Sequence, residues 1–206
     1  MEANRKNFLA GKSSLNRFMS YYKLFEIGLW KSAFNTDLKE YCYSIQKSDK
    51  GRTKTNVLGY QSNPLNIRDS ILQPLIDHIE IETNKYIQSF LTYPKPMHVC
   101  NMWININGTN SYNKLHTHPQ SFFSGVYYVS KPKDSGHITF THPAYDSLEV
   151  YWPFIENQKE YTSTNSTEWT MYSKDGDCLI FPSFYKHYVE PNRSKEDRIS
   201  ISFNLK

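Results

Sequence analysis

The spacing of apolar residues changes type near Pro94, and this change constrains the fold more than any other feature of the chain. Before Pro94, apolar residues recur at the three- and four-residue spacing of amphipathic helices. After it come short β-type runs separated by Gly, Pro, Asn and Asp turns, at 97–106, 121–130, 136–141, 178–181 and 198–205. Helices followed by many short strands predict a mainly β fold with flanking helices, built on a sandwich or barrel.

Two helices are predicted ahead of the strands, at about 32–46 and about 70–91. Alternation of apolar residues from Tyr22 to Leu29 suggests an early strand before them. Residues 1–20 are polar and basic, and we expect a flexible or loosely packed leader there. The remainder, 21–206, is expected to form a single domain, because β-rich folds of this length commonly do.

The composition favours a soluble protein over a nucleic-acid or membrane protein. A net charge of +4 is mild, and the basic residues are scattered, so nucleic acid binding is not indicated. No apolar segment reaches the length of a membrane span or of a signal-peptide core. Three cysteines without C-x-x-C spacing are interpreted as reduced core thiols. We therefore expect a cytoplasmic location.

Two histidines one residue apart, His116 and His118, are followed far downstream by His187. On an extended strand, residues i and i+2 point to the same face, so the two imidazoles can converge on one ion. The simplest alternative is that they are surface histidines in a turn ended by Pro119. The metal interpretation is favoured because the pair precedes a β-type run and His187 lies at a second strand boundary. Imidazole suits Fe, Zn, Cu and Ni, and three ligands leave positions open for catalysis.

Arg198 begins a run of strict period two, with Arg198, Ser200, Ser202 and Asn204 on one face and apolar residues on the other. The run could be an edge strand whose polar face meets water. Alternatively, the polar face lines a cavity, where an arginine with a hydroxyl at i+2 can bind a carboxylate.

The other histidines carry weaker signals. His137 and His142 flank a short strand and could line the same cavity, whereas His78 and His98 are expected to be packing or surface residues. Asp177 follows a predicted Asp-Gly turn, and its use as a metal ligand is a minor alternative.

The segment 143–174 interrupts the pattern of short strands with Pro, Asn, Ser and Thr. Loops of this length in a domain are usually functional or mobile. Its aromatic part, from Tyr145 to Trp169, is a hypothetical substrate-covering loop.

Together these segments resemble the Fe(II)- and 2-oxoglutarate-dependent oxygenases, in particular a subgroup found in phage and marine bacteria. The resemblance covers most of the chain after about residue 20. It rests on the polar stretch 50–62 and on Asn101–Asn107, His116-Thr-His-Pro, Ser124–Val129, Gly176–Ser183, His187–Pro191 and Arg198–Asn204.

The resemblance implies a double-stranded β-helix, a cupin-like jelly roll that holds Fe(II) and 2-oxoglutarate between two sheets. His116 is then the first metal ligand and His187 the distal one. Arg198, with Ser200, falls where the family binds the distal carboxylate of 2-oxoglutarate. His118 occupies the position where the family usually has a carboxylate ligand, so the implied site has three neutral imidazoles.

The implied reaction consumes O2 and 2-oxoglutarate, releases succinate and CO2, and hydroxylates a C–H bond of an unknown substrate. A protein side chain or a small molecule is preferred over nucleic acid as that substrate, and the cytoplasm of a host cell is the expected location if the chain is phage-encoded. The remaining polar and aromatic candidates for contact with co-substrate or substrate are Asn101, Trp103, Tyr127, Tyr128 and Asn204.

Two alternatives follow from the same residues. His118 in place of a carboxylate is compatible with a cupin-like metalloenzyme that does not use 2-oxoglutarate. A jelly roll can also be a non-catalytic interaction or structural protein with incidental histidines.

Overall fold

Two helices and eleven strands make up the ordered elements of the protein, in a computed structural model that describes residues 28–91, 95–144, 160–163 and 165–206. The helices are α1 (Lys39–Ser48) and α2 (Gln73–Gln88). The strands are β1 (Trp30–Ala33), β2 (Asn56–Val57), β3 (Tyr60–Gln61), β4 (Val99–Asn107), β5 (Tyr112–His116), β6 (Phe123–Ser130), β7 (Ile138–Thr141), β8 (Glu168–Met171), β9 (Asp177–Pro182), β10 (His187–Val189) and β11 (Arg198–Leu205). Over these described ranges, no helix is long and apolar enough to cross a membrane.

The strands form two antiparallel sheets. The major sheet has the order β1-β9-β6-β11-β4-β3, and the minor sheet has the order β2-β5-β10-β7-β8. From β4 onward, strands that are neighbours in sequence alternate between the sheets, except for the hairpin of β7 and β8 in the minor sheet, and this is the arrangement of a jelly roll. The mainly β fold with flanking helices that the sequence predicts is confirmed.

The principal apolar core lies on the outer face of the major sheet, beneath the two helices. The apolar face of β11, with Ile199, Ile201 and Phe203, is fully buried there in the same cluster as Leu75 and Ile79 of α2. A smaller apolar cluster between the two sheets includes residues of β6, β7 and β9. The alternating pattern of β11 thus directs its apolar side to the helices and its polar side to the space between the sheets.

The boundaries of the helices correct the sequence prediction in detail. The first helix begins at Lys39 instead of about 32, because Trp30–Ala33 pairs antiparallel with β9 at the edge of the major sheet. The second helix runs from Gln73 to Gln88 within the predicted 70–91, and its proline lies in the first turn, where no intrahelical donor is lost. The predicted leader and the strand suggested from Tyr22 lie mostly outside the described residues, which begin at 28.

Short strands between the predicted ones complete both sheets. The link from β2 to β3 is the shortest connection between the sheets, since β2 pairs with β5 and β3 pairs with β4. Leu58 adopts a positive φ of 57° in this link. The link closes one edge of the space between the sheets, next to the polar face of β4.

The three cysteines are free, as the sequence predicts. Cys42 and Cys178 are fully buried, and burial raises the pKa of each thiol to about 12. Cys100 is exposed, so the expectation of core packing fails for this cysteine.

Candidate metal and carboxylate site

Three histidine side chains meet between the two sheets. His116 is the last residue of β5 and His187 the first of β10, and the antiparallel register pairs them directly. His118 lies two residues past the end of β5, where its backbone N–H donates to the carbonyl of Ser183 at 3.0 Å. One nitrogen of each ring lies within 4.8 Å of those of the other two. Three imidazoles in this arrangement can share one metal ion.

The tautomers of His116 and His187 are set by backbone carbonyls. His116 Nδ1 donates to the carbonyl of Lys114 at 2.7 Å, and His187 Nδ1 donates to that of Tyr185 at 2.9 Å. A neutral imidazole with a protonated Nδ1 has an unprotonated Nε2, which is the form that binds a metal. Carbonyl acceptors of this kind are the usual partners of metal-bound histidines.

A side-chain network orients His118. Its Nδ1 lies 2.9 Å from Oδ1 of Asn204 on β11, which also accepts from the Ser124 hydroxyl at 2.8 Å. Ser124 is bonded in turn to Ser183 at 2.7 Å. His118 Nε2 is buried without a hydrogen-bond partner among the described residues. An orphaned acceptor of this kind fits a metal ligand, because leaving it unpaired is otherwise costly.

Burial keeps all three imidazoles neutral. The pKa of His118 is lowered to about 4, first by burial and then by the proximity of His116. The pKa of His187 falls well below its usual value, and that of His116 is also lowered, in each case mainly by burial. The ring of Trp103 stacks on His118 with centroids 5.6 Å apart and adds to this apolar cover.

Arg198 is the first residue of β11 and lies on the same face of this strand as Asn204, which is near its other end. It is 2% exposed, and its Nη1 donates to the carbonyls of Ser135 and of Glu190, the latter at 3.0 Å. Its Nη2 is buried and has no partner among the described residues. No ion pair to Arg198 occurs in the described part of the chain, and burial lowers its pKa. A buried guanidinium with a free nitrogen fits a carboxylate ligand.

A cavity of about 410 Å³ connects the histidines to Arg198. One wall is formed by the polar face of β11 and by the adjoining residues Trp103, Asn105 and Asn107 of β4, its neighbour in the major sheet. Five buried polar atoms without a described partner belong to residues that line it: Arg52 Nε, Asn105 Oδ1, Asn107 Nδ2, His118 Nε2 and Arg198 Nη2. Native proteins leave few such groups unpaired, so their concentration in one cavity indicates a ligand site.

Comparison with protein families gives a match over residues 101–204, to the family described as "Putative 2OG-Fe(II) oxygenase". The matched range is half of the chain and includes the three histidines and Arg198. The chain belongs to this oxygenase family. Fe(II) is the metal and 2-oxoglutarate the co-substrate of its enzymes, and the protein is accordingly a 2-oxoglutarate- and Fe(II)-dependent oxygenase. No curated relative matches its sequence.

Solved structures confirm the double-stranded β-helix of the oxygenase. A Pseudomonas putida prolyl-4-hydroxylase has a TM-score of 0.60 at 11% identity, over 87% of this chain and 92% of that one. HygX from Streptomyces hygroscopicus, with nickel and 2-oxoglutarate bound, has a TM-score of 0.58 at 11% identity, over 87% and 82%. The viral collagen prolyl hydroxylase of Paramecium bursaria Chlorella virus-1 has a TM-score of 0.53 at 13% identity, over 86% and 94%.

Most residues that the sequence singled out lie together in the oxygenase cavity. Beside the three histidines, the cavity is lined by Trp103, Tyr128, Arg198, Ser200, Ser202 and Asn204. Tyr127 is a correction: it faces the outer core, and its hydroxyl donates to the carbonyl of Phe34 at 3.0 Å, because successive residues of β6 point to opposite faces. Asn101 is paired with Asn204 in the register but does not line the cavity.

The weaker histidine candidates lie elsewhere. His137 and His142 do not line the cavity, and His137 contacts the ring of Tyr172 with centroids 4.8 Å apart. Asp177 forms an ion pair with Lys31 at 2.7 Å and is no candidate ligand. His78 and His98 are a packing and a surface residue, as predicted.

The proposed substrate-covering loop falls largely on residues 145–159, outside the described residues; its last predicted residue, Trp169, belongs to β8. The sequence interpretation missed further residues that line the cavity: Arg52, Lys54, Gln61, Asn105, Asn107 and Asn113. The alternation of Asn101, Trp103, Asn105 and Asn107 along β4 is a signal that identifies two of them, whereas nothing local marks Arg52.

Proposed function

We propose that His116, His118 and His187 hold the iron of this oxygenase, and that the enzyme hydroxylates a C–H bond with release of succinate and CO2. Support comes from one observation above all: three imidazoles with their Nδ1 atoms already bonded share a cavity with a buried guanidinium that lacks a carboxylate. When bound, Fe(II) supplies the redox chemistry by which dioxygen and 2-oxoglutarate are consumed.

Arg198 is the proposed anchor of the distal carboxylate of 2-oxoglutarate. Carbonyls of Ser135 and Glu190 fix Nη1, so the guanidinium is oriented before the ligand arrives and Nη2 remains free to donate. Ser200 lies two residues along the same face and provides a hydroxyl beside it. Tyr128 is the register partner of Ser200, and burial raises its pKa to about 12, so its hydroxyl remains a donor at neutral pH.

Apolar side chains on the remaining walls limit water at the histidines. Val126 and Phe181 line the cavity, and the ring of Phe181 lies 4.9 Å from that of His187 between centroids. Exclusion of water strengthens the polar contacts made inside the cavity and suppresses side reactions. The three neutral histidines leave the metal with more positive charge than a set with one carboxylate, which favours anionic co-ligands.

The prime substrate is proposed to be a small molecule or a protein side chain that reaches into this cavity. The proposed location is the cytoplasm, because a protein with three free thiols, one of them exposed, is typical of a reducing compartment.

The decisive experiment is anaerobic addition of Fe(II) and 2-oxoglutarate to the purified protein. We expect a visible charge-transfer band, and succinate formation after air is admitted. His116→Ala and His187→Ala should abolish the band, whereas His98→Ala, a change at an exposed histidine, should not. Metal binding without any response to 2-oxoglutarate would favour the cupin-like alternative. Absence of metal binding after reconstitution would favour a structural jelly roll.

A further inference from the structure

We propose that Arg52 and Lys54 form a second anion-binding subsite in the cavity, and that the prime substrate is a small polar molecule carrying a carboxylate or phosphate group. This inference rests on the proposed function, since it assigns a substrate class to the same site. Both residues line the cavity, together with the amides of Asn105 and Asn107.

The segment that carries the two cations is held against both sheets. The Arg52 N–H donates to the carbonyl of Gln61 at 2.8 Å, and Gln61 pairs with Asn105 of the major sheet. Two residues past Arg52, the Lys54 N–H donates to Asn56 Oδ1 at 2.8 Å, and Asn56 belongs to β2 of the minor sheet. The backbone that carries Arg52 and Lys54 is therefore anchored at the edge of the cavity where β2 and β3 meet.

The charged side chains that line the cavity are basic, which favours the binding of an anion. None of the described residues that line the cavity is Asp or Glu. Within the described residues neither Arg52 nor Lys54 forms an ion pair. Asp49, the acidic residue nearest in sequence, instead accepts hydrogen bonds from Gly51, Tyr60 and Asn63. An arginine and a lysine facing a cavity without acidic groups are suited to carboxylate or phosphate.

Two amide side chains with unpaired atoms line the same cavity, which indicates that the ligand also carries polar groups that hydrogen-bond to them. Asn107 is 1% exposed and its Nδ2 has no described partner, while Asn105 is 6% exposed and its Oδ1 has none. Asn105 Nδ2 donates to Ser202 at 3.0 Å, which fixes the direction of the free oxygen. Gly59 allows this close packing, because a Cβ there would lie 2.6 Å from Asn107 Nδ2. A ligand with both donor and acceptor groups satisfies these atoms.

The co-substrate does not account for Arg52. Its distal carboxylate is assigned to Arg198 and its keto acid end to the metal, so neither of its carboxylates is left for Arg52 Nε. Asn105 and Asn107 are the register partners of Ser200 and Arg198 and line the same cavity as Arg52. A third anionic group, on the prime substrate, accepts from Arg52, and a donor group on the same molecule can pair Asn105 Oδ1.

The test uses calorimetry to measure the binding of inorganic phosphate, and separately of acetate, to protein loaded with Ni(II) and saturating 2-oxoglutarate. At least one of the two anions should bind to wild type, and the more tightly bound one identifies phosphate or carboxylate as the group recognised. The double variant Arg52→Gln/Lys54→Gln should lose roughly 10- to 100-fold in affinity. Arg52→Lys, which retains the charge, should lose less. Lys47→Gln, a change at an exposed lysine of α1 that does not line the cavity, is the matched control and should bind as wild type.

Equal anion affinity in wild type and the double variant, or no binding of either anion to loaded wild type, would overturn the subsite. Loss of the Fe(II)–2-oxoglutarate band in the double variant would also overturn it, because Arg52 would then serve the co-substrate. Failure of wild type to form that band would instead count against the proposed function, and anion binding to the metal-free protein would still test the subsite.

Discussion

His118 Nδ1 lies 2.9 Å from Asn204 Oδ1, and Asn204 shares one face of β11 with Arg198. A single strand therefore carries the amide that orients one proposed metal ligand and the guanidinium that we assign to the co-substrate. They lie six positions apart, a span of roughly 20 Å along an extended strand. The rigidity of a central strand, hydrogen-bonded on both sides by β4 and β6, fixes their relative position.

Asn204→Leu should weaken metal binding by about 10- to 100-fold, because His118 loses the acceptor that selects its tautomer. Asn204→Asp keeps an acceptor at the same place and should retain most of the affinity. Chelator competition with Ni(II) measures both, and thermal unfolding checks that the variants fold. Similar affinities for the leucine and aspartate variants would contradict the orienting role.

His118→Asp should still bind Fe(II), because it introduces the carboxylate that the family usually has at this position, whereas His118→Ala should bind it at least about tenfold more weakly. The added negative charge should also shift the charge-transfer band formed with 2-oxoglutarate. Metal titration and visible spectroscopy under anaerobic conditions test both effects. An aspartate variant as defective as the alanine variant would argue that His118 is not a ligand.

Arg198→Gln should abolish the rise in melting temperature that 2-oxoglutarate causes in the Ni(II) protein, while the rise caused by Ni(II) alone persists. The physical reason is the loss of a buried charge-assisted pair, which costs about 2–5 kcal/mol when one partner is truncated. Arg198→Lys keeps the charge but not the planar geometry and should be intermediate. A 2-oxoglutarate response in Arg198→Gln equal to wild type would refute the assignment.

Affinity for 2-oxoglutarate should fall as the pH rises through about 8, because of Lys131. This lysine donates to Ser135 Oγ at 3.0 Å, and Ser135 also binds Arg198 through its carbonyl. Burial, and secondarily Arg198, lower the Lys131 pKa to about 8, while acidic neighbours, Glu190 foremost, oppose this effect. Below that pH the ammonium is charged and attracts the distal carboxylate; above it the attraction is lost.

The size of that effect should be roughly two- to tenfold between pH 7 and 9. Calorimetric titration across this range measures it, with Lys131→Met as the comparison, whose profile should be flat. The same slope in both proteins would assign the pH dependence to another group.

Gly125→Ala should destabilise the fold, because a Cβ at Gly125 would lie 2.3 Å from the carbonyl oxygen of Leu179 and from the ring of Phe203. Overpacking of this kind costs about 1–3 kcal/mol, or roughly 2–10 °C in melting temperature for a chain of this size. Gly28→Ala is the matched control, since no atom of the described residues lies within 4 Å of a Cβ there. Equal melting temperatures for the two variants would contradict this packing.

The sequence predicted the polar face of β11 and the pair His116 and His118 because each depends on local alternation along one chain segment, whereas His187 was identified by its position at a second strand boundary and by the family resemblance. It did not predict β10 or β2, since strands of two or three residues carry too little pattern and form only when neighbours supply their hydrogen bonds. Arg52 was missed for a related reason: its place in the cavity follows from pairing with Gln61, which no local spacing encodes. The late start of α1 has the same origin, because β1 exists only through β9.

The apolar core on the helix side of the major sheet affects which residues of the protein can be substituted during evolution. In most β-sandwiches the interior both stabilises the fold and limits substitution, whereas here Ile199, Ile201 and Phe203 of β11 belong to the apolar cluster that also includes helix residues, on the side of the sheet away from the cavity. The cavity-facing positions of the same strands can then mutate with little penalty to folding. Single substitutions at cavity-facing positions such as Asn105 and Asn107 can then change substrate preference without unfolding the protein. This freedom follows from the alternation of side chains along β4 and β11, which separates the cavity face from the core face.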